Sequence, residues 1–455
     1  MKKQLFIFLL MLLPLAGQAS PQVVDNIYYN LNSADKTAEV AANRNNPFTG
    51  DVVIPSSIIF EGVEYSVTKI GSKAFSERSN LTSITLPNSL KTIGSGAFRK
   101  CSNLSSINIP NSVTTIEQGA FYHCSNLTSV YIGTGLETIG ENIFNECDNL
   151  KTAKINSNAL VSKNYESGDI KVTDLFFGTF IKELVLGENV TSIGNWAFFR
   201  STITSLKMTD NVKTIGDYAF MECSELTSVE LPNSLTDIGE WAFEGCYKLS
   251  SVTIPQSVKC VHLFAFQMCH NLTKVVVNSN EVVARDNEQF YTLTSCFGKQ
   301  VKEFVFGEDV RNIAYLACSE SEKLSTVTIP SHLACIDDSA FHKCTSIADM
   351  YCYAEQVPEI GKDVFVDSNY KNATLHVPAN AVEAYRNADQ WKDFGNIVAL
   401  TDEDPKPTAI SSIEYAPLAT NKAIYDLQGH QLAQPKKGLN IIKMSDGTTK
   451  KVIIK

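Results

Sequence analysis

Ala97-Phe98-Arg99-Lys100-Cys101-Ser102-Asn103-Leu104-Ser105-Ser106-Ile107-Asn108-Ile109-Pro110 is answered 23 residues later by Ala120-Phe121-Tyr122-His123-Cys124-Ser125-Asn126-Leu127-Thr128-Ser129-Val130-Tyr131-Ile132. Both belong to one phrase, Leu-x-x-Ile-x-Ile/Leu-Pro-x-x-Val/Leu-x-x-Ile-Gly-x-x-Ala-Phe-x-x-Cys. It starts at Leu81, Leu104, Leu127, Leu150, Ile181, Ile203, Leu226, Leu249, Leu272, Val301, Leu324 and Ile347, in steps of 23, 23, 23, 31, 22, 23, 23, 23, 29, 23 and 23 residues. Seven cysteines at one phase of that period are not a product of chance, and self-similarity of this kind marks a repeat architecture. Weaker copies at Val52, Ile54 and Pro55 and at Leu375, Val377 and Pro378 bring the array to about fourteen coils.

Within a coil, Ser83-Ile84-Thr85-Leu86 alternates polar and apolar, which predicts a short strand with Ile84 and Leu86 inward and Ser83 and Thr85 outward. Copies in register form a parallel sheet, and fourteen strands ~4.8 Å apart make a rod or arc roughly 65 Å long. Pro87, Pro110, Pro232, Pro255 and Pro330 lie just past the strand, where a missing N–H ends ladder pairing. Gly94, Gly140 and Gly239 follow the second inward Ile, at a tight return that a Cβ would obstruct. The recurrent phenylalanines, from Phe75 to Phe341, stack into an aromatic spine. A lone coil buries too little apolar surface to offset the entropy of ordering it, so coils are stable only as a stack.

The rest of the chain frames this array. With 44% hydrophobic and 19% charged residues, the 455-residue chain is no disordered polymer. Its 39 basic against 49 acidic residues, net −10, give nucleic acid no electrostatic reason to bind. Lys2 and Lys3, the apolar run Leu5 to Leu13 and Gly17-Gln18-Ala19 read as a secretory leader cleaved after Ala19. That run, ended by Pro14, is too short to span a bilayer, and no later stretch does so. The expected plan is a signal peptide over 1–19, an N-terminal cap over 20–48 and a solenoid over 49–400. Longer insertions fall near 156–180 and 278–300, and a C-terminal cap at 379–400 carries Val382, Ala384, Tyr385 and Trp391. A polar linker, 401–409, and a small β domain, 410–455, complete the plan.

The cadence Ala97-Phe98…Cys101…Leu104…Ile107…Ile109-Pro110 resembles the BspA-like leucine-rich repeat surface proteins of Gram-negative anaerobes, from about Thr49 to Leu400. Cys318 for the Phe, Ser201 for the Cys and His262 for the Gly are departures in single coils. The resemblance implies a right-handed leucine-rich-repeat-like coil stack with a parallel β-sheet on one face. It also implies an exported or surface-displayed protein of a Gram-negative bacterium with a part in adhesion to host matrix or to other bacteria. The end of the chain, with Ala423-Ile424-Tyr425, Leu439-Asn440-Ile441-Ile442 and Val452-Ile453-Ile454, is similar to C-terminal sorting domains of the type IX secretion route. Asn440 stands where those domains often carry an aromatic residue.

Chemistry-bearing residues are dispersed by the repeat. Cys101, Cys124, Cys147, Cys223, Cys246, Cys269 and Cys344 share one phase and point the same way, which suits a buried thiol ladder better than disulfides. Cys318 and Cys352 fall at inward positions. For Cys260, Cys296 and Cys335 one bridge remains open. No Cys-x-x-Cys pair offers a zinc site. The seven histidines occupy different phases and build no triad, and no Gly-rich phosphate loop follows a strand. The sequence therefore predicts no enzyme and no cofactor.

What remains is surface. Outward strand positions are mostly Ser and Thr, which are cheap to desolvate and suit contact with a protein or glycan, though they are also good solvated strand formers. Tyr131, Lys154, Glu183, Lys207, Glu230, Asp349 and Tyr351 interrupt them and form the candidate binding surface. The insertions, carrying Tyr165 and Tyr291, are expected to protrude, either as partner contacts or as tolerated loops. The expected function is non-enzymatic binding of an extracellular protein or glycan in cell-surface adhesion; the alternative is a structural envelope protein without a soluble ligand.

Overall fold

Each phrase folds as one turn of a parallel β-solenoid, and about fourteen turns stack along it. The structure is a computed structural model. It describes residues 21–42, 50–166, 169, 171–172, 174, 181–285 and 292–407, and the backbone of strands at 423–425, 431–432, 438–443 and 449–454. The leader 1–19 and Tyr291 lie outside the described residues.

The predicted strand is present in coil after coil, in strict register. Ser106–Ile109, Ser129–Ile132, Thr152–Ile155, Glu183–Leu186, Ser205–Lys207 and Ser228–Val229 form one parallel ladder. Ser251–Ile254, Lys274–Val277, Glu303–Phe306, Thr326–Ile329, Asp349–Cys352, Thr374–Val377 and Asn396–Ala399 form the next. The weak upstream copy also holds: Gly50–Val53 runs parallel to Leu81–Thr85, with Val52 opposite Ile84.

The expected parallel sheet on one face is accompanied by a second one. A second set of parallel ladders, two residues per strand, runs through Thr92–Ile93, Thr115–Ile116 and Thr138–Ile139 and through Ser192–Ile193, Thr214–Ile215, Asp237–Ile238 and Cys260–Val261. These strands stop after two residues because the chain turns at the next position, where coils approach closely. A Cβ on Gly239 would lie 2.6 Å from the backbone nitrogen of Asp217 and 2.6 Å from the carbonyl carbon of Gly216.

The core is a continuous column. Phe75, Phe98, Phe121 and Phe144 stack at 5.0–5.2 Å between ring centroids, and Phe198, Phe220, Phe243 and Phe266 repeat the arrangement. All twelve cysteines are unbridged, and ten are buried. The thiols of the ladder have a specific job: Cys101, Cys124, Cys147 and Cys269 donate to the carbonyls of Phe75, Phe98, Phe121 and Phe243 at 3.1–3.2 Å. A small apolar side chain that also carries one weak donor suits a carbonyl buried between coils.

Among the described residues of the long coils, several apolar side chains turn inward. Tyr165, expected on a protrusion, is 3% exposed, and its hydroxyl donates to the Leu160 carbonyl at 2.6 Å. In the second long coil, helix Asn280–Val283 is capped by Ser279, and Leu293–Phe297 forms another short helix. Phe297 then stacks on Phe266 at 5.3 Å and continues the spine. The additional residues rejoin the stack because the spine position is filled by Phe297.

Before the array, Gln22–Val24, Ile27–Asn32 and Thr37–Val40 form antiparallel pairs, and Thr37–Val40 runs parallel to Val63–Ile70. After it, helix Val382–Asn387 buries Tyr385, and Trp391 is also buried, whereas Ala384 is exposed. Thr401 and Asp404 close a turn, and the Asp404 carbonyl accepts a hydrogen bond from the Tyr353 hydroxyl, so this stretch, expected to be a polar linker, starts docked on the solenoid. Residues 410–455 form a separate unit. In it, Ala423–Tyr425 pairs antiparallel with Gln431–Leu432 and with Gly438–Lys443, which pairs with Thr449–Ile454. Among the described residues, no helix is long and apolar enough to cross a membrane.

Candidate functional site

Outward strand positions form two columns across each ladder. In the first ladder one column runs Ser106, Ser129, Thr152, Glu183, Ser205 and Ser228. The other runs Asn108, Tyr131, Lys154, Val185 and Lys207. Register therefore brings Tyr131, Lys154, Glu183 and Lys207 onto adjacent strands. Lys154 Nζ lies 5.9 Å from the Tyr131 ring centre, a cation–π geometry, and the Tyr131 hydroxyl accepts from Asn156 Nδ2 at 3.3 Å. Lys207 pairs with the Glu183 carboxylate on the neighbouring strand, both side chains still partly in solvent. Glu230 is exposed one residue beyond the Ser228–Val229 strand.

Asp349 and Tyr351 lie elsewhere, on the second ladder. About nine strand steps, or roughly 43 Å measured along the sheet, separate Tyr131 from Tyr351. They make a cluster of their own with His376 on the next strand: its Nε2 is 3.1 Å from Asp349 Oδ1, and its ring stacks on Tyr351 at 4.3 Å. Burial, with the Asp349 and Asp404 carboxylates nearby, pushes the Tyr351 phenol up. The seven candidates thus divide into an open patch, whose lysines Lys154 and Lys207 stay exposed while contacting Tyr131 and Glu183, and a second patch in which the largely buried His376 holds Asp349 and Tyr351.

The outward face is not solvated throughout. Val276, Val305 and Thr328 occupy outward positions yet are only 6%, 2% and 0% exposed, and the Thr328 hydroxyl has no hydrogen-bond partner. Among the described residues no group of His, Cys, Asp and Glu is arranged to hold a metal ion. A cleft of about 590 Å³ beside Lys362 is lined by Asp338, Asp363 and Asp389, but Asp338 accepts from the Lys362 backbone N–H and Asp389 pairs with Lys392.

A BspA-type leucine-rich repeat region matches this chain in six copies, over residues 56–166, 172–296 and 291–388. The chain belongs to the BspA-type leucine-rich repeat family. Among solved structures, a leucine-rich repeat protein from Bacteroides ovatus is 24% identical, with 84% of this chain and 100% of that chain covered and a TM-score of 0.34. A leucine-rich cell surface protein from Faecalibacterium prausnitzii is 18% identical, with 85% and 96% covered and a TM-score of 0.30. The pneumococcal vaccine antigen PcpA is 16% identical, with 84% and 85% covered and a TM-score of 0.30. No curated protein matches.

In this BspA-type solenoid the structure also reveals a ridge that the reading of strand positions missed. Two residues after the return position, Trp196, Tyr218, Trp241 and Phe264 all adopt positive φ, between 56° and 61°, and are half-buried. Trp196 stacks on Tyr218 at 4.3 Å, and Trp241 packs on Phe264 at 4.5 Å. Left-handed backbone is costly for bulky residues, and ring contacts between coils offset that cost. The signal was there in the sequence: four aromatic residues at one phase in consecutive coils. They escaped attention because the phase falls in a turn.

Proposed function

We propose that this BspA-type repeat protein is an exported, non-enzymatic binding platform whose outward sheet face engages an extracellular protein or glycan in cell-surface adhesion. The observation that carries the reading is the open patch of Tyr131, Lys154, Glu183 and Lys207, set on adjacent strands by register and flanked by Ser and Thr. A rigid aromatic ring with fixed charges around it, inside a rim that is cheap to desolvate, is the composition of a binding hot spot. Asp349 and Tyr351 rank second, since His376 and the segment at Asp404 engage them. Export follows from the leader ending at Ala19, and the C-terminal unit is read as a type IX sorting domain.

The test is binding of the mature protein to a panel of host matrix proteins and surface glycans, beside a variant with Tyr131→Ala, Lys154→Ala and Lys207→Ala. Saturable binding that the triple variant loses, with an unchanged melting temperature, supports the reading. A complete absence of binding across the panel refutes it and favours the structural envelope role. N-terminal sequencing of protein recovered from the medium or cell surface tests the leader, with residue 20 as the expected start.

A further inference from the structure

At one point on the solenoid three departures from the repeat converge. The first outward position of the two-residue strand is Thr in Thr92–Ile93, Thr115–Ile116 and Thr138–Ile139, but Cys in Cys260–Val261. The return position that follows, glycine at Gly94, Gly140 and Gly239, is His262. The third is Arg285, just beyond the helix Asn280–Val283 of the second long coil, whose Nη1 lies 2.8 Å from Cys260 Sγ. The scaffold behind the arginine is fixed: Ser279 caps the helix, its hydroxyl donates to the Val258 carbonyl, and Val283 is buried.

The duplicated coil provides a comparison. There the helix Asn158–Val161 is capped by Ser157 in the same way, and Lys163 stands where Arg285 stands, but the positions of Cys260 and His262 are Thr138 and Gly140. Both long coils carry the scaffold and a cation; of the two, only the second carries the nucleophile and the imidazole.

We propose that Cys260 is a covalent capture site for small disulfides that carry carboxylates, with Arg285 and His262 as its positioning residues. The thiolate attacks one sulfur of RS–SR, a new S–S bond forms to Cys260, and the RS⁻ released takes a proton from solvent. The small disulfide is the only oxidant consumed. Partial burial raises the Cys260 thiol, but the His262 imidazole two residues along and the Arg285 guanidinium at Sγ outweigh it and hold the thiol below its ordinary range. Other groups facing the cluster are Asp217, near His262, Asp237, paired with Cys260 across the ladder, and the buried Cys296. An arginine at the thiol also favours a disulfide with anionic substituents.

Cys335 is the built-in control. It has the same phase and partial exposure, but its neighbours are Asn312, Asp337 and Glu359, and burial with these carboxylates pushes its thiol up. The experiment treats the full chain at neutral pH with oxidised glutathione or with neutral hydroxyethyl disulfide and follows each cysteine by peptide mass spectrometry. Protection of the ten buried thiols certifies that only folded molecules are scored. The expected result is a glutathione adduct at Cys260 forming at least about tenfold faster than at Cys335. Its preference over the neutral reagent should disappear in Arg285→Ala, and its rate should fall in His262→Gln. Equal rates at Cys260 and Cys335, protection of Cys260 alongside the buried thiols, or an internal Cys260–Cys296 disulfide in place of the adduct would each overturn the proposal.

Discussion

Truncating one ring of the spine tests whether stacked coils, rather than individual coils, are the unit of stability. Phe121 is fully buried, with Phe98 at 5.0 Å on one side and Phe144 at 5.1 Å on the other, and its carbonyl receives the Cys147 thiol. Phe121→Leu retains most of the apolar volume but removes two ring pairs worth about 0.5–1.5 kcal/mol each, a cost of about 1–3 kcal/mol. Phe121→Ala also leaves a cavity between rigid neighbours and should cost about 3–5 kcal/mol. Because each coil contacts only its neighbours, the loss should be local. Native-state hydrogen exchange is the assay, with urea unfolding beside it. Amides of Ser106–Ile109 and Ser129–Ile132 should open more readily in the Ala variant, and those of Thr326–Ile329 should not change. If Ala and Leu cost the same, or if exchange rises equally along the whole array, the nearest-neighbour account of the core is wrong.

Gly239→Ala should be clearly destabilising for a single added methyl, because the methyl meets the Asp217 and Gly216 backbone at 2.6 Å; a melting temperature within about 2 °C of wild type would contradict the close-approach argument. In the coil where Cys318 takes the spine position, the inward strand residues are Phe304 and Phe306, both fully buried, and Phe304 meets Phe297 edge-on at 6.2 Å. Volume is conserved there by exchange, so Cys318→Phe should overpack by about 1–3 kcal/mol, and adding Phe304→Val should recover at least half of that in a double-mutant cycle; strict additivity would refute the exchange. The ladder thiols are driven up by burial, Cys101, Cys223 and Cys344 to about 12, so a thiol-specific reagent at pH 8 should find at most Cys260 and Cys335 in the folded protein. The other ten should become reactive together with unfolding in urea.

The sequence by itself determined the rungs. A 23-residue period states which residue lies above which, so the inward Ile and Phe, the ladder of thiols and the columns holding Tyr131, Lys154 and Lys207 were all legible before any coordinates. Burial of Cys318 and Cys352 followed from their phase alone. Only tertiary structure decided how segments that break the period behave. Tyr165 turned inward, and Phe297 took a spine position that its spacing had hidden. The second ladder escaped prediction because two residues per strand carry no alternation to read. His376 tied down Asp349 and Tyr351, and Arg285 reached Cys260. A period encodes contacts between equivalent positions one coil apart. The length of an inserted segment does not say where its side chains end, because that is settled by which arrangement fills the column and pairs the buried polar groups.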